Sequence, residues 1–136
     1  MHFPTSLFAI LAATSSTILA APASAKMAVS TAWTIEAFQR QCITDPSSCR
    51  HRFGINTHDG QNSTQCDYTS SGPFATYEGI ECGDFVIGST HSDDGFQVLS
   101  VKRPSDMMIV YPGYKDEDVD DGSVQADQDL VPVVYS

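Results

Sequence analysis

The residues best able to do chemistry are four cysteines, Cys42, Cys49, Cys66 and Cys82, and three histidines beyond the first 30 residues, His51, His58 and His91. Thiolates and imidazoles are the usual zinc ligands, and a thiolate beside an imidazole is a strong nucleophile. The spacing fits neither use. The cysteines form no CxxC pair and lack histidines at zinc-site intervals, and the chain contains no HExxH, GxSxG or phosphate-binding loop. An even set of cysteines in a short chain fits two disulfides better. Of the pairings open to four cysteines, Cys42–Cys49 with Cys66–Cys82 is preferred. The segment ITDPSS between the first two holds an Asp-Pro turn that brings its ends together. Cys66–Cys82 then ties two separate strands. No catalytic, cofactor-binding or metal-binding residue is assigned, and no cofactor is expected.

The remaining ionisable groups read as structural. His51 alternates with Phe53 and Ile55 on an apolar face, as a core or rim histidine does, while Arg50 and Arg52 share the opposite face and suit surface ion pairs. Asp93-Asp94-Gly95 is a turn, and adjacent turn carboxylates do not face each other across a scissile bond. Asp116, Asp118, Asp120 and Asp127 imitate part of a calcium loop. However, Gly122 falls one place late and the last ligand position holds Asp in place of a bidentate Glu, so the expectation is a solvated acidic segment. Tyr77-Glu78-Gly79-Ile80 and Thr90-His91 resemble pieces of a secreted guanine-specific ribonuclease. The arginine needed for the phosphate is missing between them, which leaves an acidic ribonuclease-like hydrolase as a minor alternative. Asn62-Ser63-Thr64 is a glycosylation sequon beside a turn, with Asn62 the acceptor.

The elements that carry these residues read as short strands. AWTIEAF (32–38) alternates Trp33, Ile35 and Ala37 against polar neighbours, and CRHRFGIN (49–56) does the same with Cys49, His51, Phe53 and Ile55. A polar connection over 57–62 leads to a strand with Thr64, Cys66 and Tyr68 on one face. Runs over 80–90, 96–102 and 107–111 follow, cut by Ser92-Asp93-Asp94-Gly95 and Arg103-Pro104-Ser105-Asp106. The pattern predicts an all-β fold, a small disulfide-bonded antiparallel barrel or sandwich of about six to eight strands. Trp33, Ile35, Phe53, Ile55, Val98 and Ile109 are the expected core.

The chain has 136 residues, of which 41% are apolar, and its 17 acidic and 7 basic residues give a net charge of −10. All 24 of those charges lie after residue 25, so nucleic acid and anionic membranes are not expected partners. Ahead of them the uncharged run SLFAILAATSSTILA and the small residues after it read as a signal peptide over 1–20, with cleavage as late as Ala25. The expected organisation is that leader, a β-barrel domain over 26–115 and an acidic C-terminal segment over 116–136, in a secreted, extracellular and monomeric protein. Leu130 to Tyr135 are apolar enough to return and pack against the barrel.

The order AWTIEAF, FGI, a cysteine in the next strand, ECGDFVIG and FQVLSVKR resembles the secreted fungal β-barrel proteins typified by the Alternaria major allergen. It is also similar to small secreted fungal proteins described as elicitors of the plant hypersensitive response. The resemblance covers about residues 32–111, and the family's cross-barrel disulfide maps onto Cys66 and Cys82. The later cysteine pair and the intersubunit cysteine of the allergen have no counterpart here, so its dimer does not transfer. The resemblance implies a non-enzymatic effector or elicitor that meets a host extracellular protein or a cell-wall component. The alternative is an extracellular binding module or inhibitor that captures a glycan or a basic protein. An exposed aromatic row from Trp33, Tyr68 and Tyr77 would mark the glycan-binding case.

Overall fold

The computed structural model describes residues 31–42 and 47–136. The leader and the Asp45-Pro46 turn lie outside the described residues. Strands β1 (Trp33–Cys42), β2 (Cys49–Asn56) and β3 (Thr64–Ser70) form one sheet in the order β3-β2-β1-β9, with β9 at Gln128–Leu130. The second sheet holds β4 (Tyr77–Cys82), β5 (Phe85–Ser92), β6 (Phe96–Arg103), β7 (Met108–Val110) and β10 (Val133–Val134), in the order β10-β7-β6-β5-β4. Strand β8 (Gly113–Lys115) also pairs with β6, and one helical turn, α1 (Asp116–Val119), follows it. The two antiparallel sheets pack as a sandwich and do not close into a barrel. Among the described residues no helix is long and apolar enough to cross a membrane.

The run expected as one strand over 80–90 is a hairpin. Cys82 pairs with Phe85 around Gly83-Asp84, and Gly83 has φ +58°, the left-handed conformation that a tight two-residue hairpin turn demands. Strand β1 departs from simple alternation. Its pairing with β2 shifts register between Glu36 and Gln39, and Ala37 adopts φ 52° with its N–H donated to Asp127 Oδ1 at 2.9 Å. This bulge inverts the inward parity. Trp33 and Ile35 point inward before it, Phe38 and Arg40 after it, and Ala37 is exposed where the plain alternation expected it buried.

Trp33, Ile35, Phe53 and Ile55 lie in the core with Phe38, Ile87, Leu99 and Val101. Phe38 stacks on Tyr114 with ring centres 4.0 Å apart. Val98 is a correction: β6 turns Gln97, Leu99 and Val101 inward and Val98 outward. Ile109 is buried but lies in register with Lys102, on that same outer side.

Both seams of the sandwich are bridged. Cys66–Cys82 links edge strand β3 of one sheet to edge strand β4 of the other, and the Gln128 side chain donates to the Gly113 carbonyl at 2.8 Å across the opposite side. Cys42–Cys49 joins residues already paired at the end of β1 and β2. These are the pairings preferred from the sequence. The first spans 16 residues and two sheets, the second 7 residues and one hairpin. Replacing Cys66 and Cys82 together with alanine is expected to cost about 2 to 3 kcal/mol, and the same change at Cys42 and Cys49 less. Urea midpoints of the two double variants check the order, and an equal or larger loss at Cys42 and Cys49 would contradict it.

The acidic segment is tied to both sheets. Strand β9 pairs with β1, with Leu130 opposite Trp33, and β10 pairs with β7. Val119 of α1 is fully buried, and the Gln125 N–H reaches the Phe38 carbonyl at 2.8 Å.

Candidate functional site

The densest group of polar side chains lies between the sheets, around Arg40. The bulge at Ala37 turns Arg40 inward, and its side chain is wholly buried. A buried guanidinium needs both charge and hydrogen-bond partners. Nη1 donates to the Gln97 side-chain oxygen at 3.1 Å, to Asp116 Oδ1 at 3.2 Å and to the Pro73 carbonyl at 3.2 Å. Nη2 donates to Asp120 Oδ1 at 2.5 Å. Asp116 Oδ2 is 2.6 Å from His91 Nε2, and exposed Phe74 lies against the His91 ring. Two carboxylates of the apparent calcium loop therefore serve an arginine, while Asp127 holds the Ala37 bulge. Among the described residues no cluster of His, Cys, Asp and Glu is arranged to hold a metal ion.

The proton on His51 follows from the same geometry. Arginine only donates, so Gln97 must turn its oxygen toward Arg40 and its amino group toward Ser89 Oγ and His51 Nε2, each at 3.1 Å. His51 Nε2 must then accept, which requires a neutral ring. Burial, reinforced by the Arg40 charge, lowers the imidazole from 6.5 to about 4. The ring stacks on Tyr68, whose hydroxyl lies 2.6 Å from that of Tyr77. Burial raises both phenols and keeps them protonated.

A pH dependence follows. Because its folded pKa is depressed, His51 binds more protons in the unfolded chain between pH 6.5 and about 4. Its stabilising contribution is complete above pH 6.5 and is lost as pH falls through that window, by about 3 kcal/mol in all. Asp67 and Asp106 titrate below the window, held down chiefly by hydrogen bonds from Arg50 and Arg103. Stability curves of the wild type and His51→Gln should therefore diverge between pH 6.5 and 4, with the variant flatter. Parallel curves would refute the assignment.

The other sequence candidates are dispersed. Arg50 forms a two-pronged exposed pair with Asp67, and Arg52 donates to Gln39. His58 Nε2 lies 2.7 Å from Thr34 Oγ1, which donates to Asp129 at 2.6 Å. Glu78 and His91 sit on strands and bond to different partners, Lys102 and Asp116. Asp93-Asp94-Gly95 forms the expected turn, closed from Gly95 N to the Ser92 carbonyl at 3.0 Å. Asn62 is exposed in the connection between β2 and β3. Trp33 is buried, while Tyr68 and Tyr77 are half-buried and bonded to each other, so the three form no exposed row. Sequence pattern alone does not mark Arg40 and Gln97 as site residues. Their signal was present as two polar residues on faces otherwise occupied by Phe38, Leu99 and Val101.

The matched length of the chain decides its relationship. The family described as Effector TSP1 matches residues 34–134, from the start of β1 to the end of β10. The chain belongs to the Effector TSP1 family. Effector TSP1 of Hypocrea virens (strain Gv29-8 / FGSC 10586) is 33% identical over 121 residues, covering 80% of this chain and 82% of that protein. The effector side of the resemblance read from the sequence is thus sound. The match also takes in α1, β9 and β10, so the acidic segment lies within the family's span together with the sandwich.

Proposed function

We propose that this member of the Effector TSP1 family is a secreted, non-enzymatic effector that acts, as a monomer, on a host extracellular protein or a cell-wall component. The observation that carries the reading is the internal use of the reactive side chains. Both disulfides consume their cysteines, His51 and Arg40 are buried in one network, and His91 is bonded to Asp116. A catalytic group must reach its substrate directly or through one water. Side chains engaged in this way hold sheets together. The leader-like N-terminus, the paired cysteines and membership of an effector family support export, and exposed Asn62 is then a site for glycosylation.

The experiment applies purified mature protein, His91→Ala and reduced-and-alkylated protein to plant leaf tissue and to RNA, glycan and protein substrates. A tissue response kept by His91→Ala but lost on unfolding, with no turnover, supports the reading. Turnover abolished by His91→Ala overturns it, as does the absence of any tissue response to the folded protein.

A further inference from the structure

The outward parity of β6 builds a second face, on which Lys102 stands near Glu78 and over the Tyr135 ring. Val98, Ser100 and Lys102 point away from the core, and with Glu78 of β4, Ile109 of β7 and Tyr111 they line a groove of about 210 Å³. Drug-sized ligands occupy pockets of about 300–1,000 Å³, so this groove suits a single small ring. Two of its lining side chains, Ser100 and Glu78, close over Gly88 of β5. A Cβ there would lie 2.6 Å from Ser100 Oγ and 2.8 Å from Glu78 Oε2, so only glycine lets these two groups close over the strand together. Ser100 Oγ is buried and has no hydrogen-bond partner, an arrangement that costs stability unless a ligand uses it.

We propose that this groove is a carbohydrate subsite that takes one neutral pyranose unit of a polysaccharide or glycan. Lys102 Nζ lies 3.7 Å from Glu78 Oε1, a loose pair in which ammonium and carboxylate stand side by side. Adjacent sugar hydroxyls match such a pair, since each donates to the carboxylate and accepts from the ammonium. A cation would be disfavoured by Lys102, and an anion by Glu78 and the net charge of −10. Ser100 supplies a further hydroxyl partner. Exposed Tyr111, with Val98 and Ile109, offers an apolar wall to the C–H face of the ring. The site lies on the opposite side of its sheet from the buried network. Its occupancy does not depend on whether the protein acts on a host.

The test is an amide NMR titration of the mature protein with a neutral β-glucan hexasaccharide, a chitin tetrasaccharide and an oligogalacturonate. Saturable shifts at Gly88, Ser100, Lys102 and Tyr111 with at least one neutral sugar are expected, and which sugar gives them identifies the source. Glu78→Gln and Tyr111→Ala should each weaken that binding on the order of tenfold. Their urea midpoints should stay near wild type, which separates lost binding from lost folding. No saturable shift with either neutral sugar overturns the proposal. So do shifts confined to another face, tighter binding of the oligogalacturonate in the groove, or affinity unchanged in both variants.

Discussion

Arg40→Met is expected to lower the unfolding free energy by about 3 to 5 kcal/mol, the range for removing one partner of a buried ion pair. The cost comes from what remains. Methionine fills much of the space, but the Gln97 oxygen and Asp116 lose their donor in the interior, and the Pro73 carbonyl loses one as well. Gln97 is 1% exposed and has no solvent to turn to. Asp120 gives the control. Its side chain is 62% exposed, so Asp120→Asn should cost no more than about 1 kcal/mol even though it touches the same guanidinium. Because Arg40 also joins β1 to α1, its loss should speed hydrogen exchange at Asp120 and Gly122, whose amides bond within and just after that turn. Urea denaturation measures the first effect and exchange the second. A loss for Arg40→Met no larger than that for Asp120→Asn would mean that the network does not hold the sheets together.

The parity of each strand decided how far the sequence could be read. In β2 the apolar set is unambiguous, and His51, Phe53 and Ile55 all point inward. In FQVLSVKR either alternate set is half apolar, so Val98 was as good a choice as Leu99 on pattern alone. The structure selects the set containing Gln97, because Arg40, His51 and Ser89 satisfy its amide. That preference is set by three other strands and leaves no local trace. The bulge in β1 is similar. Ala37 carries no turn signature, and the group that holds its left-handed backbone, Asp127, lies 90 residues away. The Gly83-Asp84 hairpin is a different case: its two-residue Gly-Asp step is a local turn signal, and reading 80–90 as one strand passes over it. Composition made the acidic segment look solvated as a whole. Individually its carboxylates divide, with Asp116 and Asp120 on Arg40, Asp127 on the bulge and Asp129 on Thr34. The disulfides were readable because cysteine count and turn chemistry are local. The groove was not, since it needs the outward set of β6 and a glycine whose significance is the approach of two neighbouring strands.

Trp33→Ala is expected to destabilise the fold by about 3 to 5 kcal/mol, the cost of a large aromatic truncation in a closed interior. Trp33 is 2% exposed and meets Phe85 edge to face with ring centres 5.6 Å apart, so its contacts span both sheets. A second contribution lies above the ring. The Arg103 guanidinium stands 4.9 Å from the indole centre and is fixed there by Asp106, 2.6 Å away, and Asp59, 3.4 Å away. A cation over an indole face contributes about 0.5 to 1 kcal/mol where solvent reaches it. Trp33→Phe should therefore lose less than the alanine variant but retain a weaker response to Arg103→Gln, and a double-mutant cycle isolates that difference. A loss below about 1 kcal/mol for Trp33→Ala would place the indole at the surface. An exposed indole would favour the reading in which the protein captures a glycan on an aromatic surface.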